Sequence, residues 1–282
     1  MIKIISDSTC DLSKELIEKY DIAILPLHIH LGEDEYQDGV TITPDEIYTW
    51  ADANNTTPKT SAASMIEAIE LFQPYIENGD EIISFSIASG MSANNNVMRL
   101  AAEDLEAEDK IHVIDSANLS TGIGLLVIEA AIMAKEGKTA DEIVARIEEL
   151  KTRVSASFVV DTLTYLHRGG RCSSVAALAG GALKIHPKIV VENGKMGANK
   201  KYRGKMSSVI LEFITFSIAL PDITGCVTIA RTERAPLSIM RSAALQRVPA
   251  VSAISSTIRM FLSLTSPMML MLLTTLAFSR VL

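Results

Sequence analysis

The residues with chemistry to offer are hydroxyls, and they gather where a strand gives way to a helix. In Glu81 to Met98, EIISFSIASGMSANNNVM, Ser89 and Ser92 fall in a turn. That turn separates an apolar, β-branched run ending at Ser86 from a helical pattern that resumes at Asn95. N–H groups at a helix start lack partners within the helix and sit at the positive end of its dipole, so hydroxyls there either cap the helix or help to hold an anion. Gly90 alone is too little glycine to wrap a polyphosphate, and a small carboxylate fits such a turn as well as a phosphate does. A second set, Thr60, Ser61 and Ser64 in PKTSAAS, precedes the helical spacing of Met65, Ile66, Ile69 and Phe72. Ser6-Asp7-Ser8-Thr9 is a third polar turn at a strand's end.

Other constellations are thinner. His28 and His30 share a face if Ile22 to Leu31 is extended, but no third ligand is near in sequence and no metal is expected. Cys10, Cys172 and Cys226 are odd in number and far apart, which excludes a disulfide framework and a CxxC metal site. A serine-dependent enzyme acting on a small carboxylate or acyl substrate would need Ser92 as nucleophile with His112 or His167 as base. The chain has no GxSxG elbow to support it.

The elements that must position these residues alternate. Ile2 to Ile5, Glu81 to Ser86 and Ile111 to Asp115 read as buried strands. Helical patterns begin near Leu12, at Pro44 with Thr43 as cap, near Met65, at Asn95, at Thr121 and at Ala140. Strand–helix alternation means an α/β layered fold with a largely parallel sheet, whose ligands lie beyond the carboxyl ends of the strands, where the hydroxyl clusters fall. Glu33 to Gly39 reads as a charged turn. From Ser157 the texture changes. Phe158 to Asp161 is a strand, Arg168-Gly169-Gly170-Arg171 a turn, Ser173 to Leu183 a small-residue helix, and Asn193-Gly194 joins a hairpin followed by Lys201, Arg203 and Lys205. The boundaries expected are an N-terminal domain over 1–156 and a smaller α/β domain over 157–282.

At 282 residues with 48% apolar and 21% charged side chains, the chain has ample material for a buried core. Its net charge of −8 argues against a nucleic-acid partner, which requires a basic face. The N-terminus lacks the succession of a signal peptide, so a cytoplasmic location is expected. The segment 234–282 is atypical, with five arginines and none of the 34 acidic residues. Met260 to Phe278 is apolar enough to weigh as a membrane span, but serines, threonines and Pro267 interrupt it. A tail that does not pack natively, or a change of reading frame after about Lys205, accounts for the lost acids at least as well.

The order of these pieces resembles the DegV family of bacterial fatty-acid-binding proteins. The matching segments are SDSTCDL, YQDGVTIT, PKTSAAS, IASGMSA and VIDSANLSTGIGLLV, then VVDTLTYLHRGGR, KIHPKI and KYRGK, in that order. The resemblance implies a two-domain α/β protein holding one long-chain fatty acid, such as palmitate, between its domains. No cofactor is implied, and membrane contact would be only transient. Some members deliver the acid to a separate fatty acid kinase, serving lipid transport or fatty acid metabolism. The carboxylate-binding positions carried over are Thr60 and Ser92, with Ser61 as neighbour. Arg171 and Arg203 resemble residues that neutralise the head group or contact the kinase. The chain departs from the family pattern in reading Ser92-Ala93-Asn94 for Ser-Gly-Thr, and in having no histidine after His186 where the family closes with a histidine followed by Gly-Pro-Gly.

Overall fold

A computed structural model describes residues 1–160, 170, 185–205, 209, 224–231 and 272–277. The chain opens with β1 (Ile2–Asp7), a 3-10 turn (Ser8–Cys10), α1 (Lys14–Tyr20), β2 (Ala23–Leu25), β3 (His28–Leu31) and β4 (Asp34–Gln37). It continues with α2 (Pro44–Asn54), β5 (Lys59–Ser61), α3 (Met65–Glu77), β6 (Glu81–Ser86), α4 (Asn94–Asp104) and β7 (Ile111–Asp115). Then come α5 (Thr121–Lys135), α6 (Ala140–Lys151), β8 (Val154–Val159), β9 (Ile185–Glu192), β10 (Lys195–Arg203), β11 (Thr224–Arg231) and β12 (Leu272–Ala277).

The first sheet runs in the order β2-β1-β6-β7 with every pair parallel. Its strands read as apolar runs because both faces are covered, and successive residues serve opposite layers. Ile4, Ile83, Phe85 and Ile114 pack with Leu16, Ile123, Val127 and Ile143 on the side of α5 and α6. Ile5, Ile82 and Ile111 pack with Ala68, Phe72, Met98 and Ala101 on the side of α3 and α4. Three helices begin at reciprocal caps, Thr43 with Glu46, Ser64 with Glu67 and Thr139 with Glu142. Each such cap contributes about 1 kcal/mol to its helix.

The second sheet has the order β10-β9-β8-β11-β12, mixed in direction, and β8 crosses the expected 156/157 boundary. The hairpin expected at Asn193-Gly194 forms between β9 and β10, with positive φ of 51° and 69° at its two turn residues. A third, antiparallel sheet of order β4-β3-β5 packs Ile29 and Leu31 against Ile47 and Ala51 of α2. Two of its strands correct the sequence reading. Asp34–Gln37 is a strand and not a charged turn, and Lys59–Ser61 is a strand and not a helix start. Both are too short and too polar to show an alternating pattern, and only pairing to β3 makes them strands.

Arg171, the small-residue helix expected over Ser173 to Leu183 and most of the tail lie outside the described residues. Leu272–Ala277, inside the stretch weighed as a membrane span, is the strand β12 paired with β11. Among the described residues no helix is long and apolar enough to cross a membrane.

Phe85 is fully buried between β6 and the α5–α6 layer, so Phe85→Ala leaves a cavity. It is expected to cost about 3–5 kcal/mol in urea unfolding with the denaturant slope unchanged.

Candidate functional site

In the order β2-β1-β6-β7 the chain leaves β1 toward one edge and β6 toward the other, so the strand order reverses between them. Open α/β sheets present their ligand crevice beyond the carboxyl ends of the strands at such a point. Here that point is occupied by a side chain of the protein. Asp7, at the end of β1 and fully buried, accepts through Oδ2 from the Ile87 N–H at 2.8 Å and from Asn94 Nδ2 at 3.0 Å. Its Oδ1 accepts from the N–H and hydroxyl of Thr9. Burial pushes the Asp7 carboxyl up from its ordinary range, and the bonds from Thr9, Ile87 and Asn94 only partly offset this.

Asn94 carries the link onward. Its Oδ1 accepts from the Ala63 N–H at 3.2 Å, so the segment after β5 is fastened to the start of α4. Thr60 lies three residues before Ala63 and Ser92 two before Asn94, and the two hydroxyl segments are thereby drawn to the same end of the sheet. Ser92 Oγ accepts from the Asn94 N–H at 3.2 Å, which satisfies one helix-start donor and leaves the hydroxyl proton free to donate. Thr60 is half-buried, and among the described residues no hydrogen bond engages its side chain. Thr60 stands opposite Ile29 and Ser61 opposite His28, so the neighbouring hydroxyls leave β5 on opposite faces. Ser61 Oγ pairs instead with His30 Nε2 at 2.9 Å. Helix α3 is capped by Ser64.

The loop between β6 and α4 is fixed from three sides. Asp115 accepts from the Ser89 and Ala117 N–H groups, and the Ala88 N–H donates to the Asn118 carbonyl at 2.9 Å. Ala88 and Met91 pack into an apolar cluster with Leu119, Phe158, Ile189 and Val191, which joins this loop to the second sheet. Gly90 faces the hairpin turn so closely that a Cβ there would stand 2.7 Å from the Gly194 carbonyl oxygen. The glycine is needed for this contact and not for wrapping a ligand. Ala93, where the family pattern has glycine, has ordinary right-handed backbone at φ −77° and ψ −1° and needs no special freedom.

Among the described residues no group of three or more His, Cys, Asp or Glu side chains could hold a metal. His28 is engaged by two carboxylates, Glu35 on one ring nitrogen and Glu67 at 2.9 Å on the other. Burial opposes the charged ring, but the bonds from Glu67 and Glu35 outweigh it and raise the His28 pKa. Burial likewise works against Glu67, and donors from Ser64, Gln37 and His28 overcome it, bringing its carboxyl to about 2. This cluster ties β3 and β4 to the start of α3, behind the strand that carries Thr60. His112 lies within β7 opposite Ile83, with no hydrogen bond to Ser92, and His167 lies outside the described residues. Arg203 is exposed at the end of β10.

Sequence reading passed over Asp7 and Asn94. The signal for Asn94 is the run Asn94-Asn95-Asn96 at a helix start, residues that weaken a helix interior and bond readily to nearby backbone. Asp7 was visible only as part of a polar turn, since nothing local says that it is buried.

Asp38 is buried beside the same strand end, hydrogen-bonded to Ser8 and with Oδ1 unpartnered. Burial pushes its carboxyl up from 3.8 to about 6, Ser8 opposing and Asp7 adding to the rise. Its unfolded counterpart therefore ionises first as pH climbs. The stability it contributes is fully present below about 3.8 and is lost as pH rises through about 6. Asp38→Asn stays neutral, so between pH 4 and 7 it is expected to lose less stability than the wild type by about 3 kcal/mol at most, read from urea midpoints at each pH.

Residues 1–262 match the family model described as "Uncharacterised protein, DegV family". A DegV domain-containing protein of Clostridium perfringens is 39% identical over 213 residues, covering 75% of this chain and 76% of that protein. Among solved structures, a fatty acid (stearic acid)-binding protein from Eubacterium ventriosum matches with 32% identity, covers 77% of this chain and 78% of that one, and gives a TM-score of 0.68. A DegV family protein from Thermus thermophilus, described by its fatty acid binding, matches with 25% identity over 87% of this chain and 88% of that one at a TM-score of 0.75. DegV of Bacillus subtilis, a fatty acid binding protein, matches with 26% identity, 92% and 89% coverage and a TM-score of 0.70. Sequence and topology agree, and the chain belongs to the DegV family.

Proposed function

We propose that this chain binds one long-chain fatty acid, such as palmitate, between an N-terminal domain over 1–156 and a second domain over 157–282. Thr60 and Ser92 hold the carboxylate, with Ser61 beside them. The observation that carries this reading is the Ala63–Asn94 bond, which draws two hydroxyl segments to the carboxyl end of a sheet next to an apolar cluster shared with the second sheet. The solved relatives described as fatty acid binding support the ligand class.

The chemistry divides between the two ends of such a ligand. A carboxylate accepting from two hydroxyls gains about 1.5–3 kcal/mol per charge-assisted bond. The acyl chain gains about 0.8 kcal/mol for each methylene it buries. The tail therefore dominates affinity, and the hydroxyls fix which end faces the opening. Arg203, exposed on an edge strand, and Arg171, in the sequence Arg168-Gly169-Gly170-Arg171, neutralise the head group or contact a separate kinase that phosphorylates the presented carboxylate. In this reading the chain carries and presents its ligand in the cytoplasm, touches membranes only transiently, and leaves the phosphoryl transfer to its partner.

Native mass spectrometry of the purified protein is expected to show one fatty acid per chain. Thr60→Ala and Ser92→Ala are each expected to weaken palmitate binding about 10-fold or more in a titration, with the thermal midpoint unchanged for Thr60→Ala and lowered by a few degrees for Ser92→Ala, which also loses the bond from the Asn94 N–H. Wild-type protein that neither carries nor takes up palmitate would refute the proposal.

A further inference from the structure

The hairpin turn of the second sheet rests directly on the loop that carries Ser92. Gly90 approaches the Gly194 carbonyl so closely that a methyl group there would lie 2.7 Å from the oxygen and 3.3 Å from Lys195 Cγ. From the other side, a methyl on Gly194 would lie 3.4 Å from Ala88 Cβ and 3.9 Å from Ala117 Cα. Among the described residues the tip meets the loop through van der Waals contact, Gly90 against Gly194 and Lys195, and Gly194 against Ala88 and Ala117. Among the described residues no hydrogen bond joins Gly90 or Ser89 to the hairpin tip. Behind it lies the apolar cluster of Ala88, Met91, Phe158, Ile189 and Val191, where an acyl chain leaving Ser92 between the sheets would run. The tip itself is rigid, since Asn193 and Gly194 at φ 51° and 69° lock a two-residue turn onto paired strands, so it moves as one piece with β9 and β10.

We propose that the Asn193–Gly194 turn is a latch on the Ser92 loop, and that its separation from Gly90 sets the rate at which a bound acid enters and leaves. This rests on the fatty-acid reading above and adds a gate to it. A van der Waals contact without hydrogen bonds opens readily, while the apolar cluster behind it recloses it.

The test is the release rate of a fluorescent long-chain fatty acid displaced by excess palmitate, together with amide hydrogen exchange of the ligand-free protein. Gly90→Ala drives a methyl into the Gly194 carbonyl, while Gly194→Ala, whose methyl meets Ala88 and Ala117 only at ordinary contact distance, disturbs the latch by straining the turn at φ 69°. Both are expected to speed release about tenfold and to raise exchange in residues 87–92 and 193–195, leaving β1 and β6 protected. Gly197→Ala, on the same hairpin with nothing within 4 Å of its added methyl, is expected to match the wild type in both measurements. If the wild type binds the acid and both latch variants keep its release rate and exchange pattern, the latch is wrong and the binding proposal stands. If the wild type binds no fatty acid, the binding proposal fails, and the exchange pattern still decides whether the contact opens as a unit.

Discussion

A buried carboxylate with no cation beside it among the described residues ties together the carboxyl end of the parallel sheet. Asp7 sits where the strand order reverses, and its two oxygens collect four donors from the turn after β1, the end of β6 and the start of α4. Burying a carboxylate is costly unless hydrogen bonds replace its water, and here burial raises the Asp7 pKa while the bonds from Thr9, Ile87 and Asn94 oppose the rise. What the arrangement provides is position. Each donor has one geometry that serves Asp7, so the β6–α4 loop and the first turn of α4 are fixed relative to β1 before any ligand arrives. Asn94 extends this register by a second bond to Ala63, and the strand with Thr60 is brought into the same frame.

Around that polar centre the structure separates rigid support from yielding contact. The two halves of the hydrophobic core clamp the parallel sheet on both faces, with Phe72 and Phe85 fully buried on opposite sides. The small sheet of β3, β4 and β5 is fastened by the His28 and Gln37 bonds to Glu67, a charged fixture behind Thr60. The join to the second sheet is different in kind. Among the described residues it consists of apolar side chains, a glycine-to-glycine approach and a bond from Asn118 Nδ2 to the Val154 carbonyl at 3.2 Å. Such a join is strong in area and weak in direction.

Some of the architecture was legible because local physics decides it. The β6 and β7 spans, the α2 helix from Pro44 to Asn54 and the α5 helix from Thr121 to Lys135 follow from apolar runs, a proline at a first helical position and a capping threonine. The Asn193-Gly194 turn is likewise a property of two residues. Strands β4 and β5 were not legible, because three or four polar residues become a strand only when β3 supplies partners for their backbone groups. The same gap turned Thr60 from an expected helix-start hydroxyl into a strand residue, and left Ser61 facing His30.

By itself, then, the sequence determined the alternation of strands and helices, the parallel sheet and the placing of hydroxyls at strand ends, since hydrophobic period, capping and turn chemistry act over a few residues. Tertiary structure alone decided that Asp7 is buried, that Asn94 bridges Ala63 to it, and that Gly90 meets Gly194 across 104 positions of chain. Those contacts join residues far apart in sequence, and their existence depends on how whole layers pack, which no short window of residues records.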